Sequence, residues 1–244
     1  MVAIKTNKLR KEYKDIVAVN GLDLEIEEGE LFSLLGVNGA GKTTTIKMLA
    51  TLTKPTSGDA YIFDYSINKD GNKIKELIDI SMQETAIARK LTVLENIKFY
   101  AKLSGQTNEE VNESIKYVFD AFELDKVKNK KAAKLSGGWQ RKLSIALALV
   151  SKPKVLFLDE PTLGLDVIAR RELWKTISSL KGKMTIILTT HYMEEAEALS
   201  DRIGIMKEGD LLFVGTKEEL FKKTNKQNVE EAFIEIVTGG DLNV

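Results

Sequence analysis

The sequence contains no cysteine, only three prolines and a single histidine among its 244 residues. Without cysteine the chain has no disulfide framework, and such a composition suits a reducing compartment. No apolar run approaches the roughly 18 residues that a transmembrane helix needs, so we expect that the chain does not cross a bilayer by itself. The first residues lack an apolar stretch followed by a cleavage site, which predicts that there is no signal peptide.

An excess of either charge is also missing, because 36 Lys and Arg residues balance 36 Asp and Glu residues. A basic excess is typical of proteins that bind nucleic acid, so we expect no nucleic-acid partner. Hydrophobic residues make up 43% of the chain, which is enough for a substantial core. The rarity of proline and the lack of linker-like or repeated segments predict one compact body.

The most informative stretch is residues 36–44, which read G-V-N-G-A-G-K-T-T and fit the phosphate-binding P-loop pattern G-x-x-x-x-G-K-[ST]. Apolar residues before it predict a strand, and the residues after it predict a helix. Gly36, Gly39 and Gly41 permit positive φ and close backbone approach, so that N–H groups and a helix N-terminus face an anion. Lys42 is predicted to reach the β- and γ-phosphates, and the Thr43 hydroxyl to bind Mg²⁺.

Further candidate residues follow two other predicted strands. Residues 155–158 are apolar at every position, which is typical of a strand covered on both faces of a parallel sheet. Asp159 and Glu160 come next, and carboxylates at the exit of a buried strand are costly unless they have a function. We predict that Asp159 binds Mg²⁺ and that Glu160 orients or deprotonates the attacking water. His191 follows a strand predicted at 184–190 and is expected at the same sheet edge.

The residues between these motifs predict mostly helices. Thr92 and Glu95 form a capping-box pattern that begins one helix, and residues 108–123 carry apolar side chains at helical spacing. Another helix begins after Ser136, its expected N-cap. The two glycines that follow leave the helix N-terminus open to a phosphate, although a plain Ser-Gly-Gly turn before a helix would read the same.

Other predicted strands cover residues 2–6, 22–26, 31–35, 60–63, 77–82, 203–206 and 211–214, and the last two form a hairpin. Further predicted helices cover residues 72–78, 168–180 and 193–199, and an amphipathic helix that docks on the body begins at Val229.

In their order along the chain, these motifs resemble the ATP-binding subunit of an ABC transporter over nearly the whole length. Residues 36–44 resemble the Walker A loop, and residues 155–160 resemble Walker B with its catalytic glutamate. Residues 135–140, L-S-G-G-W-Q, resemble the LSGGQ signature.

Four single residues complete the resemblance. Gln83 falls at the Q-loop, Asp166 at the D-loop and His191 at the switch-histidine position. Tyr13 falls where the family stacks an aromatic ring on adenine. Taken alone, each of these residues also fits an ordinary loop or strand position.

The resemblance implies an α/β fold of the P-loop NTPase class, with a mostly parallel core sheet, an N-terminal antiparallel β portion and an inserted α-helical subdomain. The whole chain, 1–244, would be one ABC ATPase domain. Its core would comprise 1–85 and 151–225, its helical insert 86–150 and its C-terminal docking helix 226–244.

The predicted site residues form four sets. The catalytic set is Glu160, His191 and Lys42. The nucleotide-binding set is Tyr13, Gly36, Asn38, Gly39, Ala40, Gly41, Lys42, Thr43 and Thr44. The metal set is Thr43, Gln83 and Asp159. The set expected to reach the nucleotide of a partner subunit is the signature, Ser136, Gly137, Gly138 and Gln140. Asp166 stands apart from these sets as the D-loop residue.

The resemblance also implies an ATPase that uses ATP and Mg²⁺ and pairs head to tail with a second ATPase subunit, identical or different. It would act with an integral membrane permease at the cytoplasmic face of the cell membrane. Residues 91–96 and 229–233 resemble exporters of the drug-resistance, sodium-efflux and ABC-2 type, in which the permease is a separate chain.

The sequence departs from the family pattern at three places. Trp139 replaces a smaller residue after the signature glycines, and we expect an effect on packing and not a loss of activity. The D-loop reads L-G-L-D but keeps Asp166. Residues 84–90 lack the usual leucine-aromatic pair, which bears on the choice of permease.

Three other classes fit less well. A soluble ABC protein that acts on DNA or ribosomes tends to carry two cassettes or a long coiled coil between Walker A and the signature. A small P-loop GTPase or kinase is disfavoured because the N-K-x-D motif of GTPases is absent; residues 68–70 are one residue too short. A non-catalytic binding module would have no use for Glu160 and His191.

Overall fold

The computed structural model describes residues 1–239, and two β-sheets form its framework. The four-stranded sheet is antiparallel and has the order β2-β1-β4-β5. Its strands are β1 (Val2–Tyr13), β2 (Ile16–Glu27), β4 (Ser57–Ile62) and β5 (Tyr65–Ser66). The six-stranded sheet has the order β10-β9-β3-β8-β7-β6 and is parallel except for the β9–β10 hairpin. Its strands are β3 (Leu31–Gly36), β6 (Ile78–Ser81), β7 (Val155–Asp159), β8 (Thr185–Thr190), β9 (Arg202–Lys207) and β10 (Asp210–Gly215).

Helices cover these sheets. They are α1 (Lys42–Leu49), α2 (Gly71–Leu77), α3 (Val93–Leu103), α4 (Asn108–Phe122), α5 (Gly137–Leu149), α6 (Val167–Ser178), α7 (Met193–Leu199), α8 (Lys217–Thr224) and α9 (Val229–Thr238). Helices α3 to α5 all lie between β6 and β7, with two short 3₁₀ turns between α4 and α5. In residues 1–239 no helix combines the length and the apolarity needed to cross a membrane.

The predicted fold class is confirmed, since a mostly parallel sheet, an antiparallel sheet and a block of helices between β6 and β7 are all present. The middle strands β3, β7 and β8 are buried at every residue, as expected for strands covered on both faces. The predicted capping box is confirmed as well. The Thr92 hydroxyl accepts from the Glu95 N–H at 3.2 Å, and the Glu95 carboxylate accepts from the Thr92 N–H at 2.7 Å.

Several predicted boundaries are wrong. Strands β1 and β2 are each 12 residues long and extend beyond the predicted ranges 2–6 and 22–26, so Tyr13 is the last residue of β1, opposite Ile16. Helix α8 is not predicted from the sequence because only Leu220 and Thr224 are buried on this short helix. The docking helix predicted at 226–244 begins at Val229 in the structure. It packs Val229, Ala232 and Phe233 against the body. Residues 240–244 of the predicted range lie outside the described part of the chain.

Strand order explains why distant motifs meet. Strand β8 lies between β3 and β7, with Leu35 opposite Thr190 and Asp159 opposite Thr189. In parallel strands the carboxyl ends share one edge, and ligand sites of open α/β sheets lie there. The P-loop, Glu160 and His191 all leave the sheet at this edge.

Candidate active site

A cavity of about 530 Å³ opens at this carboxyl edge. It is lined by Tyr13, Ile16, Ala18, Asn38, Gly39, Ala40, Gly41, Lys42, Thr43, Thr44, Gln83, Glu160, Leu163 and His191. Most residues predicted to bind nucleotide therefore share one cavity with two predicted catalytic side chains and with Gln83.

The glycines of the P-loop do different things. Gly39 and Gly41 have φ of 83° and 104°, in the region that side chains rarely adopt. Gly36 is not among the positive-φ residues, so the prediction of positive φ is wrong there. Glycine at position 36 instead allows the backbone of Met206 to lie close to the loop, because a Cβ on Gly36 would be 2.6 Å from the carbonyl oxygen of Met206.

The N-terminus of α1 suits an anion. Gly41 at its N-cap provides no capping side chain, and its first turn has no acidic residue. The helices α2, α3, α4, α6, α7, α8 and α9 of the described chain all have an Asp or Glu at the N-cap or in the first turn. The free N–H groups and the helix dipole of α1 thus favour a bound phosphate.

Lys42 is the buried cation of the cavity. Its Nζ donates to the carbonyl oxygens of Gly36, at 2.7 Å, and Val37, at 3.1 Å. The same atom lies 3.4 Å from Oε1 of Glu160. The ammonium group is therefore held against the first residues of the P-loop, beside the N-terminus of α1.

The Glu160 carboxylate lies between the side chains of Lys42 and His191. One carboxylate oxygen faces Lys42, and the other, Oε2, lies 2.8 Å from Nδ1 of His191. An ionised carboxylate only accepts hydrogen bonds, so Nδ1 is the donor in this contact. Glu160 has φ of 47°, a strained value for a residue other than glycine, and such strain clusters at functional sites.

Asp159 and Thr43 fit the predicted Mg²⁺ site. Oδ1 of the fully buried Asp159 accepts from the Thr43 hydroxyl at 2.9 Å and from the Thr189 hydroxyl at 2.6 Å. Its Oδ2 is buried and has no hydrogen-bond partner within the described residues. Carboxylate and hydroxyl oxygens are the ligands that Mg²⁺ prefers, and it keeps several waters and substrate oxygens. Residues 1–239 contain no cluster of three or more acidic, His or Cys side chains that could bind a metal ion.

The signature residues lie outside the cavity lining. Ser136 is the N-cap residue of α5, as predicted, but its side chain makes no capping bond, and the first turn has no acidic residue. Ser136 and Gly137 are exposed. In the described chain, α5 thus shares with α1 an N-terminus open to an anion, and none of its signature residues lines the subunit's own P-loop cavity.

Gln140 and Asp166 are both engaged within their own chain. The Gln140 amide donates to the carbonyls of Ala132, at 3.3 Å, and Leu135, at 3.1 Å, so it holds the loop before α5 and does not project outward. Asp166 caps α6 by accepting from the N–H groups of Ile168 and Ala169, each at 2.9 Å.

Three buried residues of the surroundings were not predicted. Thr189 accepts the Glu160 N–H with its Oγ1 at 3.1 Å and donates to Asp159, so it joins both carboxylate residues to β8. Arg141 reaches the same region from α5. Glu195 on α7 accepts from the indole of Trp174 at 2.9 Å, and burial raises the pKa of its carboxyl. No spacing in the sequence marks these residues, because their partners lie far along the chain.

Comparisons with known proteins agree with this geometry. Residues 19–163 match the family model described as ABC transporter. The human phospholipid-transporting ATPase ABCA3 is 43% identical over 227 residues, which cover 91% of this chain and 13% of that protein. ABC transporter A family member 4 of Arabidopsis thaliana is 41% identical, over 89% of this chain and 24% of that protein. The chain thus spans about an eighth to a quarter of the length of these relatives.

Two solved structures match this chain over nearly their full length. The structure of an ATP-binding subunit of an ABC transporter has a TM-score of 0.84 and 25% identity, and the match covers 96% of this chain and 99% of that one. The ATP-binding cassette MJ0796, a dimer in a post-hydrolysis state bound to ADP and Pi, has a TM-score of 0.78 and 28% identity, over 87% and 98%.

Proposed function

Because the chain belongs to the ABC transporter family, as an ATP-binding domain that hydrolyses ATP, we propose that it drives a membrane permease through an ATP-dependent dimer. The observation that carries the proposed mechanism is the convergence of Lys42 and His191 on the two oxygens of Glu160. A carboxylate, a cation and a hydrogen-bond donor thus adjoin a P-loop, which supports the proposal that the carboxylate is the base.

The P-loop N–H groups and Lys42 bind the β- and γ-phosphates of ATP and offset charge that develops on the γ-phosphoryl group. The γ-phosphate oxygens compete with Glu160 for the donors of Lys42 and His191, so ATP binding frees the carboxylate. Glu160 then accepts a proton from the water that attacks the γ-phosphorus, and the bond to the bridging oxygen of ADP breaks. The Nδ1–H of His191, no longer bound to Glu160, is then donated to a γ-phosphate oxygen.

Thr43 and Asp159, with Gln83 at the cavity wall, would hold Mg²⁺. When bound, this ion neutralises charge on the β- and γ-phosphates. The unpartnered Oδ2 of Asp159 supports this assignment, because a buried carboxylate oxygen is costly without a ligand.

Tyr13 is proposed to stack on the base. Tyr13 is 45% exposed and lines the cavity, and Nζ of Lys11 lies 4.8 Å from the centre of its ring. Tyr13→Ala should weaken ATP binding by roughly 1–3 kcal/mol, as for other base–aromatic contacts, whereas Tyr13→Phe keeps the ring and should bind nearly as well. Nucleotide titration of the three proteins measures this. Equal affinities would show that the ring does not contact the base, and because stacking tolerates any base, GTP should bind almost as well as ATP.

The proposed permease contact lies on α3. Asn96 and Tyr100 hold the segment after Gln83 by hydrogen bonds to Ala88 and Ala86. Beside them Phe99 is 48% exposed and Leu103 is 68% exposed. Exposed apolar side chains that adjoin each other mark interaction surfaces, and this surface adjoins the loop that enters the ATP cavity.

Permease coupling is tested by replacing both exposed residues with Asp. In liposomes with a candidate multi-span permease encoded beside this chain, the wild type should hydrolyse ATP faster than without the permease. Phe99→Asp/Leu103→Asp should lose this stimulation and keep the basal rate, because neither side chain lines the cavity. The matched control is Ile234→Asp, an apolar residue 40% exposed on α9, which should keep the stimulation. Equal stimulation of all three proteins would contradict the assigned surface.

The direction of transport is proposed to be export, from the cytoplasmic face where the chain would sit. The human relative is named a phospholipid-transporting ATPase, so phospholipid is the first cargo to test. In liposomes whose ATPase domains face outward, export appears as ATP-dependent loss of labelled lipid from the outer leaflet. Movement in the opposite sense would make the complex an importer.

A further inference from the structure

Arg141 is a buried cation in the second turn of α5, with 4% of its surface exposed. Its Nη1 donates to the carbonyl of Met82 at 2.7 Å. Its Nη2 donates to the carbonyls of Gln83, at 2.8 Å, and Glu160, at 3.2 Å. One guanidinium group thus joins the signature helix to the Q-loop and to the backbone of the proposed base.

The charge of Arg141 is expensive in this position. Burial lowers the pKa of the guanidinium, and the charges of Asp159, Glu195 and Glu160 act in the opposite direction. The group nevertheless stays charged, because arginine is not deprotonated in proteins. A planar fork with five N–H donors can satisfy several carbonyls at once, which a lysine ammonium of similar reach does not reproduce.

One of the three carbonyls that Arg141 binds belongs to Glu160, whose backbone is strained. Glu160 has φ of 47°, and its N–H is bound by both oxygens of Thr189, each at 3.1 Å. Thr189 therefore fixes the peptide group before the Glu160 side chain, and Arg141 fixes the peptide group after it. Strained conformations persist where the surroundings over-determine them, and here those surroundings include a side chain from another element.

Gln83 is held in the same way. Strand β6 ends at Ser81, and Arg141 binds the carbonyls of the next two residues, where the chain turns toward the cavity. The position at which the Gln83 side chain enters the cavity thus depends on the guanidinium.

We propose that Arg141 is a positioning residue of the ATPase: its guanidinium holds the Glu160 and Gln83 backbones in the hydrolytic arrangement and transmits displacement of α5 to both. Helix α5 begins next to Ser136, so a ligand at its N-terminus and the base at Glu160 are joined through one rigid helix. The inference rests on the proposed role of Glu160 as the base.

The test is a double-mutant cycle between Arg141 and Glu160. Arg141→Met keeps the aliphatic volume and removes the donors, and it should slow ATP turnover about 10²-fold, the cost of a misplacement of about 1 Å. ATP affinity should stay unchanged, because Arg141 does not line the cavity. Arg141→Lys should recover part of the rate, since it keeps the charge with fewer fixed donors.

The decisive comparison is made in the Glu160→Gln background. If Arg141 acts through Glu160, then Arg141→Met slows turnover by a clearly smaller factor in the Glu160→Gln background than in the wild-type protein, and the residual slowing is the part that acts through Gln83. A purely structural role would instead lower the rate by the same factor in both backgrounds, which would overturn the proposal. The matched control is Lys142→Met, the next residue of α5, which pairs with Glu172 at 2.9 Å and should leave turnover near the wild-type rate.

Thermal unfolding checks each variant, and if Arg141→Met has no cooperative transition, the cycle is run with Arg141→Lys. If Arg141→Met hydrolyses ATP at the wild-type rate while Glu160→Gln hydrolyses it slowly, the role of Arg141 is overturned and that of Glu160 stands. Unchanged turnover in Glu160→Gln would instead overturn the proposed base, so the two failures are distinguishable.

Discussion

Glu160→Gln should lower ATP turnover by about 10²–10⁴-fold, the range for loss of a positioned general base. The amide has nearly the same shape as the carboxylate but cannot accept the proton of the attacking water. ATP binding should persist, because the P-loop and Lys42 bind the phosphates and Lys42 keeps its bonds to the Gly36 and Val37 carbonyls. Affinity and turnover are measured on the same preparation.

The matched control for this substitution is Glu113→Gln. Its side chain is 69% exposed and pairs with Lys152, and neither residue lines the cavity, so turnover should not change. A Glu160→Gln protein that hydrolyses ATP at the wild-type rate would remove Glu160 from its role. A protein that also fails to bind ATP would show that the carboxylate holds the P-loop together.

Mixing two inactive variants should restore ATPase activity if subunits share their sites. Lys42→Ala loses the cation of the P-loop, and Ser136→Arg blocks the open N-terminus of α5, so each should be inactive alone. In a mixed dimer the intact Lys42 and the intact Ser136 meet at one site, and the other site carries both lesions. Random pairing of equal amounts should therefore restore up to about a quarter of the wild-type activity per subunit.

The control for this experiment mixes Lys42→Ala with Glu160→Gln. Both lesions lie on the P-loop face of their own subunit, so each site of the mixed dimer has one lesion and activity should stay low. If the natural partner is a different chain, the same pairs of lesions are placed on the two chains. Recovery of activity in the control as well would contradict head-to-tail sharing, because no pairing of these two variants produces a site that is free of lesions.

Dilution of the wild type provides the companion measurement. Activity per subunit should fall as the protein concentration drops below the dissociation constant of the dimer. The geometry motivates this expectation, because the α5 N-terminus has no side-chain capping bond and no acidic residue in its first turn, is exposed, and lies outside the lining of the subunit's own cavity. Constant activity in a preparation shown to be monomeric with ATP bound would exclude the shared site.

Much of the secondary structure could be predicted from local patterns. The capping box at Thr92, the apolar strand before Asp159 and the helix after the P-loop depend on residues that are neighbours in the chain. The length of β1 and β2 could not, because it is set by their mutual pairing from Val2 opposite Glu27 to Tyr13 opposite Ile16. Helix α8 was missed because a short helix with few buried residues has a weak apolar pattern.

The sequence by itself determined the chemistry of the site: a phosphate-binding loop, two carboxylates at the exit of a buried strand and a histidine after another strand. Each of these signals is carried by residues adjacent in the chain, whose backbone conformation follows from local sterics and hydrogen bonds. The tertiary structure alone decided which groups touch. The placement of β8 between β3 and β7 brings Lys42, Glu160 and His191 together, and the packing of α5 brings Arg141 to carbonyls of two separate segments. Such contacts depend on long-range strand pairing and helix packing, for which no local spacing provides a signal.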